Sequence, residues 1–308
     1  MPRRAVIDIG TNSVKLLVAD VEGAAVSPVL EESGQTRLGA GFYETHELQP
    51  DAVRNTAEFV KVFAAKAVSL GSTPPRVIAT SAARDAKNVG QLINAVFDAS
   101  HLLIEILSGA READWAFRGV TSDPRLAECP ALIVDVGGGS TEFIVGENAV
   151  PQFRNSYSLG TVRLLEKLRL SDPPGRAALE HCRASLRDFL SQQVAPLLNP
   201  ALLSRQGRTR LIGTGGTATL LVRMEARMTD YNREKIEATS VSLERVREQL
   251  ETQWAMPLAT RQKIVGLPAN RADVIITGMA IYEAIMTQFG FSQLQVSTRG
   301  LRFWALLH

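Results

Sequence analysis

The chain has 308 residues, enough for two domains that each enclose a core of their own. Hydrophobic residues make up 45% and charged residues 21%, and a net charge of +2 gives no reason to invoke nucleic acid or a membrane surface as a partner. Two distant cysteines, Cys129 and Cys182, exclude a disulfide framework and a thiolate zinc site.

The N-terminal segment runs directly into an apolar stretch with no room for a signal peptide, so the expected location is the cytoplasm. The longest apolar runs, 102–107 and 131–136, are strand-sized and far too short to span a membrane. The basic residues are 27 Arg and 7 Lys. The guanidinium fork suits phosphate, but a GC-rich genome produces the same skew, and we read it that way. The four histidines are scattered, which argues against a metal cluster of that type.

Taken in order, residues 6–20 read as strand, tight polar turn and strand, a β-hairpin. Strand-like pieces follow at 24–30 and 35–38, then a helix at 51–70 closed by Gly71. Residues 76–80 read as a strand, 89–99 as a helix, 102–107 as a strand and 112–120 as a helix. The polar, proline-bearing stretch 121–125 is the expected domain boundary, dividing the chain into 1–121 and 122–300, with 301–308 packing back on the first part. Beyond it, helices are expected at 161–168, 175–190, 216–227, 243–253 and 272–289, strands at 210–213 and 294–297, and a helix at 301–307.

The most informative feature is an internal repeat. Residues 6–20 align without gaps on 133–147 at a constant offset of 127, superposing Asp8 on Asp135, Gly10 on Gly137 and Ser13 on Ser140. The period is too long for a solenoid and indicates two related domains that each open on the same hairpin. In the first turn, Gly10, Thr11, Asn12 and Ser13 supply closely spaced amide, hydroxyl and carboxamide donors, a nest for phosphate. Lys15 lies on the same strand face as Ser13, and Asp8 is placed to hold a water of a magnesium shell. An ordinary Asx turn explains this segment equally well.

The second turn is more specific. Gly137, Gly138 and Gly139 are costly within a strand pattern unless a ligand approaches the backbone. Ser140 and Thr141 add hydroxyls, and Asp135 and Glu142 supply the hard oxygens Mg2+ prefers. A third cluster with Gly213, Gly215 and Gly216 ends a strand and opens a helix, where amides and the helix dipole face an anion. It lacks the lysine of a Walker A loop, and a plain turn remains open.

With these loops, the chain resembles the exopolyphosphatase/guanosine-pentaphosphate phosphohydrolase family of the actin-like superfamily. The resemblance extends through Arg37-Leu-Gly39, Ala79-Thr-Ser-Ala-Ala-Arg-Asp-Ala-Lys-Asn88, Ser108-Gly-Ala-Arg-Glu-Ala113, Ser158-Leu-Gly160, Gly266-Leu-Pro-Ala-Asn-Arg-Ala-Asp-Val274 and Ser297-Thr-Arg-Gly-Leu-Arg302. It implies an α/β fold of two actin-like (ribonuclease H-like) domains, each a mixed sheet flanked by helices, with an interdomain cleft. It also implies a homodimer and a divalent cation such as Mg2+.

By the same resemblance Glu112 is the general base, Arg84 contacts the phosphate chain and Glu142 helps order metal or water. Substrates would be inorganic polyphosphate or pppGpp. A small-molecule kinase or a non-catalytic phosphate sensor would share the loops. Two positions depart from the family: relatives often have two adjacent acids where Arg111-Glu112 stands, and an aspartate where Thr298 stands. The chain resembles the short form that lacks an added helical domain.

Overall fold

The computed structural model describes residues 1–204 and 208–308. They form two compact units, Met1–Ser122 with Arg299–His308, and Asp123–Thr298.

The first unit runs β1 (Arg3–Ile9), β2 (Ser13–Glu22), β3 (Ala25–Gln35), α1 (Pro50–Ser69), β4 (Arg76–Ala79), α2 (Ser81–Asp85), α3 (Val89–Ser100), β5 (Ile104–Ile106) and α4 (Gly109–Thr121). Its five-stranded sheet has the order β3-β2-β1-β4-β5. The first three strands are antiparallel neighbours, while β4 and β5 run parallel to β1. Strand β1 is apolar on both faces because both are covered. Ile7 and Ile9 pack with Val53, Val60 and Phe63 of α1, and Val6 packs with Leu17, Ile78 and Trp115 on the other side. Strand alternation gives Asp8 the parity of Val6, so it lies on the α4 side of the sheet.

The second unit contains β6 (Ala131–Val136), β7 (Thr141–Glu147), β8 (Val150–Tyr157), α5 (Thr161–Leu168), α6 (Arg176–Phe189), α7 (Ala195–Leu203), β9 (Arg210–Thr214) and α8 (Gly215–Glu225). It continues with α9 (Arg233–Ala238), β10 (Ser240–Ser242), α10 (Leu243–Trp254), α11 (Ile275–Phe289) and β11 (Gln293–Val296). Its sheet order is β10-β11-β9-β6-β7-β8. Read from β8, the first five strands repeat the topology of the first unit, and β10 is an added antiparallel edge. The closing helix α12 (Leu301–Leu307) returns to the first unit, where Arg302 Nη1 donates to the Leu16 carbonyl at 3.1 Å.

Several expectations differ from what is observed. The two pieces at 24–30 and 35–38 are one strand ending at Gln35. It runs through Gly34 because the Phe59 ring lies where a side chain would be, 2.0 Å from a Cβ built there. Arg37 instead takes a left-handed backbone, φ 51°. Strand β8 went unread because Pro151 and Arg154 mask its pattern; as an edge strand it tolerates proline. Helix α7 holds two prolines, Pro196 in its first turn, where no amide is needed, and Pro200 inside it.

Candidate active site

The two hairpin turns are built alike. Gly10 N–H donates to the Ser13 carbonyl at 3.0 Å, and Gly137 N–H donates to the Ser140 carbonyl at 3.0 Å. In each unit the segment after the third strand then takes the turn's carbonyls. Gly39 N–H donates to Thr11 O at 2.7 Å, and Thr36 and Arg37 donate to Asn12 O at 3.2 and 3.1 Å. In the second unit Thr161 N–H donates to Gly137 O at 3.0 Å and Val162 to Gly138 O at 2.9 Å, while Arg163 Nε donates to Gly139 O at 2.8 Å. With carbonyls engaged on one side, the N–H groups of Thr11, Asn12, Gly138 and Gly139 have no acceptor among the described residues. This is the donor arrangement an anion requires.

Close backbone approach fixes both turns. A Cβ on Gly39 would lie 2.3 Å from Thr11 Cγ2, and one on Gly160 would lie 2.5 Å from the carbonyl carbon of Gly138. The Leu38-Gly39 and Leu159-Gly160 pairs do the same work in the two units. That second repeat was readable in the sequence but is displaced from the first by six residues, since the offset here is 121.

The structure reassigns some of the expected phosphate contacts. The amides of Gly10 and Gly137 close their own turns. Thr141 is fully buried and its hydroxyl donates to Leu159 O at 2.6 Å, behind the turn. Gly213 lies inside β9, paired with Val134 and Val296, and a Cβ there would meet Ala218 at 2.8 Å and Tyr282 at 2.9 Å. It is a packing glycine. Gly215 and Gly216 do open helix α8. Gly215 has φ 81°, and a Cβ on it would stand 2.3 Å from Asp135 Oδ1.

Beside each turn lies a charged cross-strand pair. Asp8 is directly opposite Lys15, and Asp135 is directly opposite Glu142, at the same register of the two hairpins. Such neighbours share a face. Asp8 is buried, and burial pushes its carboxyl up from the usual range while Lys15 and Arg302 pull it back. Its Oδ1 has no partner among the described residues; nor do Asn12 Nδ2 and Ser81 Oγ. In the second unit Glu142 is 1% exposed and accepts from Ser156 Oγ at 2.7 Å.

Like charges directly opposed, here a buried Glu142 and a half-buried Asp135, destabilise a sheet, and a cation between them offsets that. The Asp135–Glu142 pair therefore fits Mg2+, which takes one or two carboxylates and completes its shell with water and phosphate. Among the described residues no group of three or more His, Cys, Asp or Glu gathers as a metal cluster. Asp8, faced by two cationic side chains, fits a metal ligand less well.

Ser108 caps helix α4, its Oγ accepting from Arg111 N–H at 3.3 Å, and Glu112 lies in the first turn. Glu112 is buried. Arg84 Nη1 donates to its Oε2 at 2.7 Å and to Leu107 O at 3.1 Å. The structure thus brings Arg84 and Glu112 together, a contact that the sequence did not indicate. Arg111 turns elsewhere, pairing with Glu105 at 2.5 Å and lying over the Trp115 ring at 4.6 Å, with Arg76 also over that ring at 4.7 Å. Thr298 bonds Glu237 through its hydroxyl, which also accepts from Arg233. No helix among the described residues is long and apolar enough to cross a membrane.

Two duplicated α/β units, each opening on a carbonyl-locked hairpin turn, have the architecture of the actin-like class. The family model described as the Ppx/GppA phosphatase family matches residues 17–304, and the chain belongs to that family. It is 32% identical to Exopolyphosphatase 2 of Mycobacterium tuberculosis, over 96% of this chain and 95% of the relative. It is 26% identical to a guanosine-5'-triphosphate,3'-diphosphate pyrophosphatase of Aeromonas hydrophila, over 98% of this chain and 58% of that protein. Among solved structures, an exopolyphosphatase from Cytophaga hutchinsonii superposes with a TM-score of 0.87 at 25% identity, covering 99% of this chain and 96% of that one.

Proposed function

We propose that the chain is an exopolyphosphatase, releasing the terminal phosphate of inorganic polyphosphate by attack of water. The observation that carries this reading is the pair of amide sets without an acceptor among the described residues, at Thr11–Asn12 and at Gly138–Gly139, in a chain 32% identical to an exopolyphosphatase along nearly the whole of both.

The amides, with Lys15 and the N-terminus of α8 at Gly215 and Gly216, bind phosphate oxygens. Glu112 accepts the proton of the attacking water, and Arg84 holds that carboxylate in place. Asp135 and Glu142 would hold Mg2+, which would supply neutralisation of charge developing on the phosphoryl oxygens. Asp8 offers an acceptor oxygen for water. Positioning and electrostatics suffice for phosphoryl transfer, which needs no covalent intermediate. The protein is taken to work in the cytoplasm as a homodimer, the latter open to sedimentation analysis.

A second reading is 5'-phosphohydrolysis of pppGpp, which the Aeromonas relative favours. Orthophosphate release from polyphosphate and from pppGpp at matched concentrations decides between them. Faster release from polyphosphate is expected. ADP together with a phosphorylated acceptor, in place of free phosphate, would instead identify a kinase.

A further inference from the structure

We propose that Ser156 is a positioning residue, holding the Glu142 carboxylate in the orientation from which it binds the divalent cation. The inference rests on the hydrolase reading but concerns a residue which that reading leaves unused. Asp135, Glu142 and Ser156 form one row across β6, β7 and β8, each directly opposite the next. Ser156 Oγ donates to Glu142 Oε1 at 2.7 Å, the short distance of a hydrogen bond to an ionised acceptor.

The contact fixes Oε1 of the buried Glu142 toward β8, across from Asp135, its like-charged neighbour. With it, the carboxylate is held beside Asp135. Ser156 is itself fixed, since it lies in the β7–β8 ladder and its N–H donates to Asn155 Oδ1 at 3.0 Å.

The first unit supplies an internal comparison. The same register row there reads Asp8, Lys15 and Ser33. Ser33 is exposed and stands opposite a cation rather than a second acid. The serine–carboxylate contact thus accompanies the acid pair and is absent where lysine replaces the acid. Hydrogen-bond partners of metal ligands set ligand orientation, and their loss typically costs about ten- to a hundredfold in metal affinity or activity.

The test compares wild type with Ser156→Ala, Ser156→Thr and Ser33→Ala. Two quantities are read: the Mg2+ concentration giving half-maximal phosphate release, and Mn2+ binding to the substrate-free protein by electron paramagnetic resonance. S156A is expected to raise both the Mg2+ requirement and the Mn2+ dissociation constant by about ten- to a hundredfold, with kcat largely recovered at saturating Mg2+. S156T, which keeps the hydroxyl, stays near wild type, and S33A changes neither.

The inference is overturned if S156A keeps the wild-type metal requirement and Mn2+ affinity, or if it loses kcat or thermal stability alone. Should S156A fail to fold, Ser156→Cys, with its poorer donor, carries the same comparison. A wild type that binds Mn2+ with Ser156-dependent affinity yet releases no phosphate would remove the hydrolase reading and leave the positioning role standing.

Discussion

Lys15 and Glu142 occupy the same place in the two hairpins, each directly across from the aspartate of its own strand pair, Asp8 or Asp135. One backbone design thus carries opposite charges at one position. In the proposed function the cation of the first unit meets phosphate and the two acids of the second hold a metal. Exchanging Lys15 for Glu is expected to lower kcat/KM by about tenfold or more, because a carboxylate would face both Asp8 and the phosphate. Steady-state kinetics with polyphosphate checks this.

Glu112 and Arg84 touch, so their substitutions should not add. Glu112→Gln removes the proton acceptor and is expected to lower kcat by about a hundredfold or more. Arg84→Ala alone costs about tenfold or more through loss of that orientation. The double variant should be little worse than E112Q. Single-turnover rates of the four proteins make the cycle.

At Gly215 both the backbone and the neighbouring side chain forbid substitution. Gly215→Ala places a Cβ 2.3 Å from Asp135 Oδ1 at φ 81°. The left-handed backbone alone costs about 1–2 kcal/mol. Denaturant unfolding should show that loss, and displacement of Asp135 should raise the Mg2+ requirement as well. Gly216→Ala, in open space, should be nearly silent in both.

Arg111 differs from many relatives, and its packing explains what it does instead. Arg111→Glu would oppose Glu105 and remove a cation from the Trp115 ring. A loss of about 1–2 kcal/mol in stability is expected from the broken pair, the lost ring contact and the new repulsion. The kcat should change little, because Arg111 points away from Glu112. Calorimetry together with kinetics separates the two.

Asp8 provides a pH test. Its carboxyl titrates above the ordinary range because burial disfavours the ionised form. The folded state therefore binds that proton more tightly than the unfolded state, and stability falls as pH rises from the ordinary carboxylate range through the raised value. Asp8→Asn removes this penalty. In metal-free buffer it should melt higher than wild type at pH 7, with the gain shrinking as the pH falls to the acid side, while phosphate release drops. Calorimetric scans across pH measure it.

Much of this was legible because function and fold share one pattern. The Asp-x-Gly hairpin repeat predicted two related domains, and the duplicated sheet order follows it. Glu112 was reachable only through the Ser108–Ala113 motif, since a glutamate in a helix's first turn is otherwise unremarkable. Its contact with Arg84 was not legible, because it depends on where α2 ends relative to α4. At Gly213 the structure shows a packing demand from Tyr282 that the sequence alone does not distinguish from a ligand's, because both ask for a missing side chain. Ser156 gave no local signal either; its role arises from register across three strands.

The most direct test of the account is hydrolysis of polyphosphate in 18O-labelled water with Mg2+. Attack of water on the terminal phosphorus breaks its bond to the bridging oxygen, which stays with the shortened chain. One 18O per turnover should therefore appear in the released orthophosphate and none in the remaining chain, and E112Q should abolish most of the release. Label in the residual chain, or release undiminished in E112Q, would contradict it.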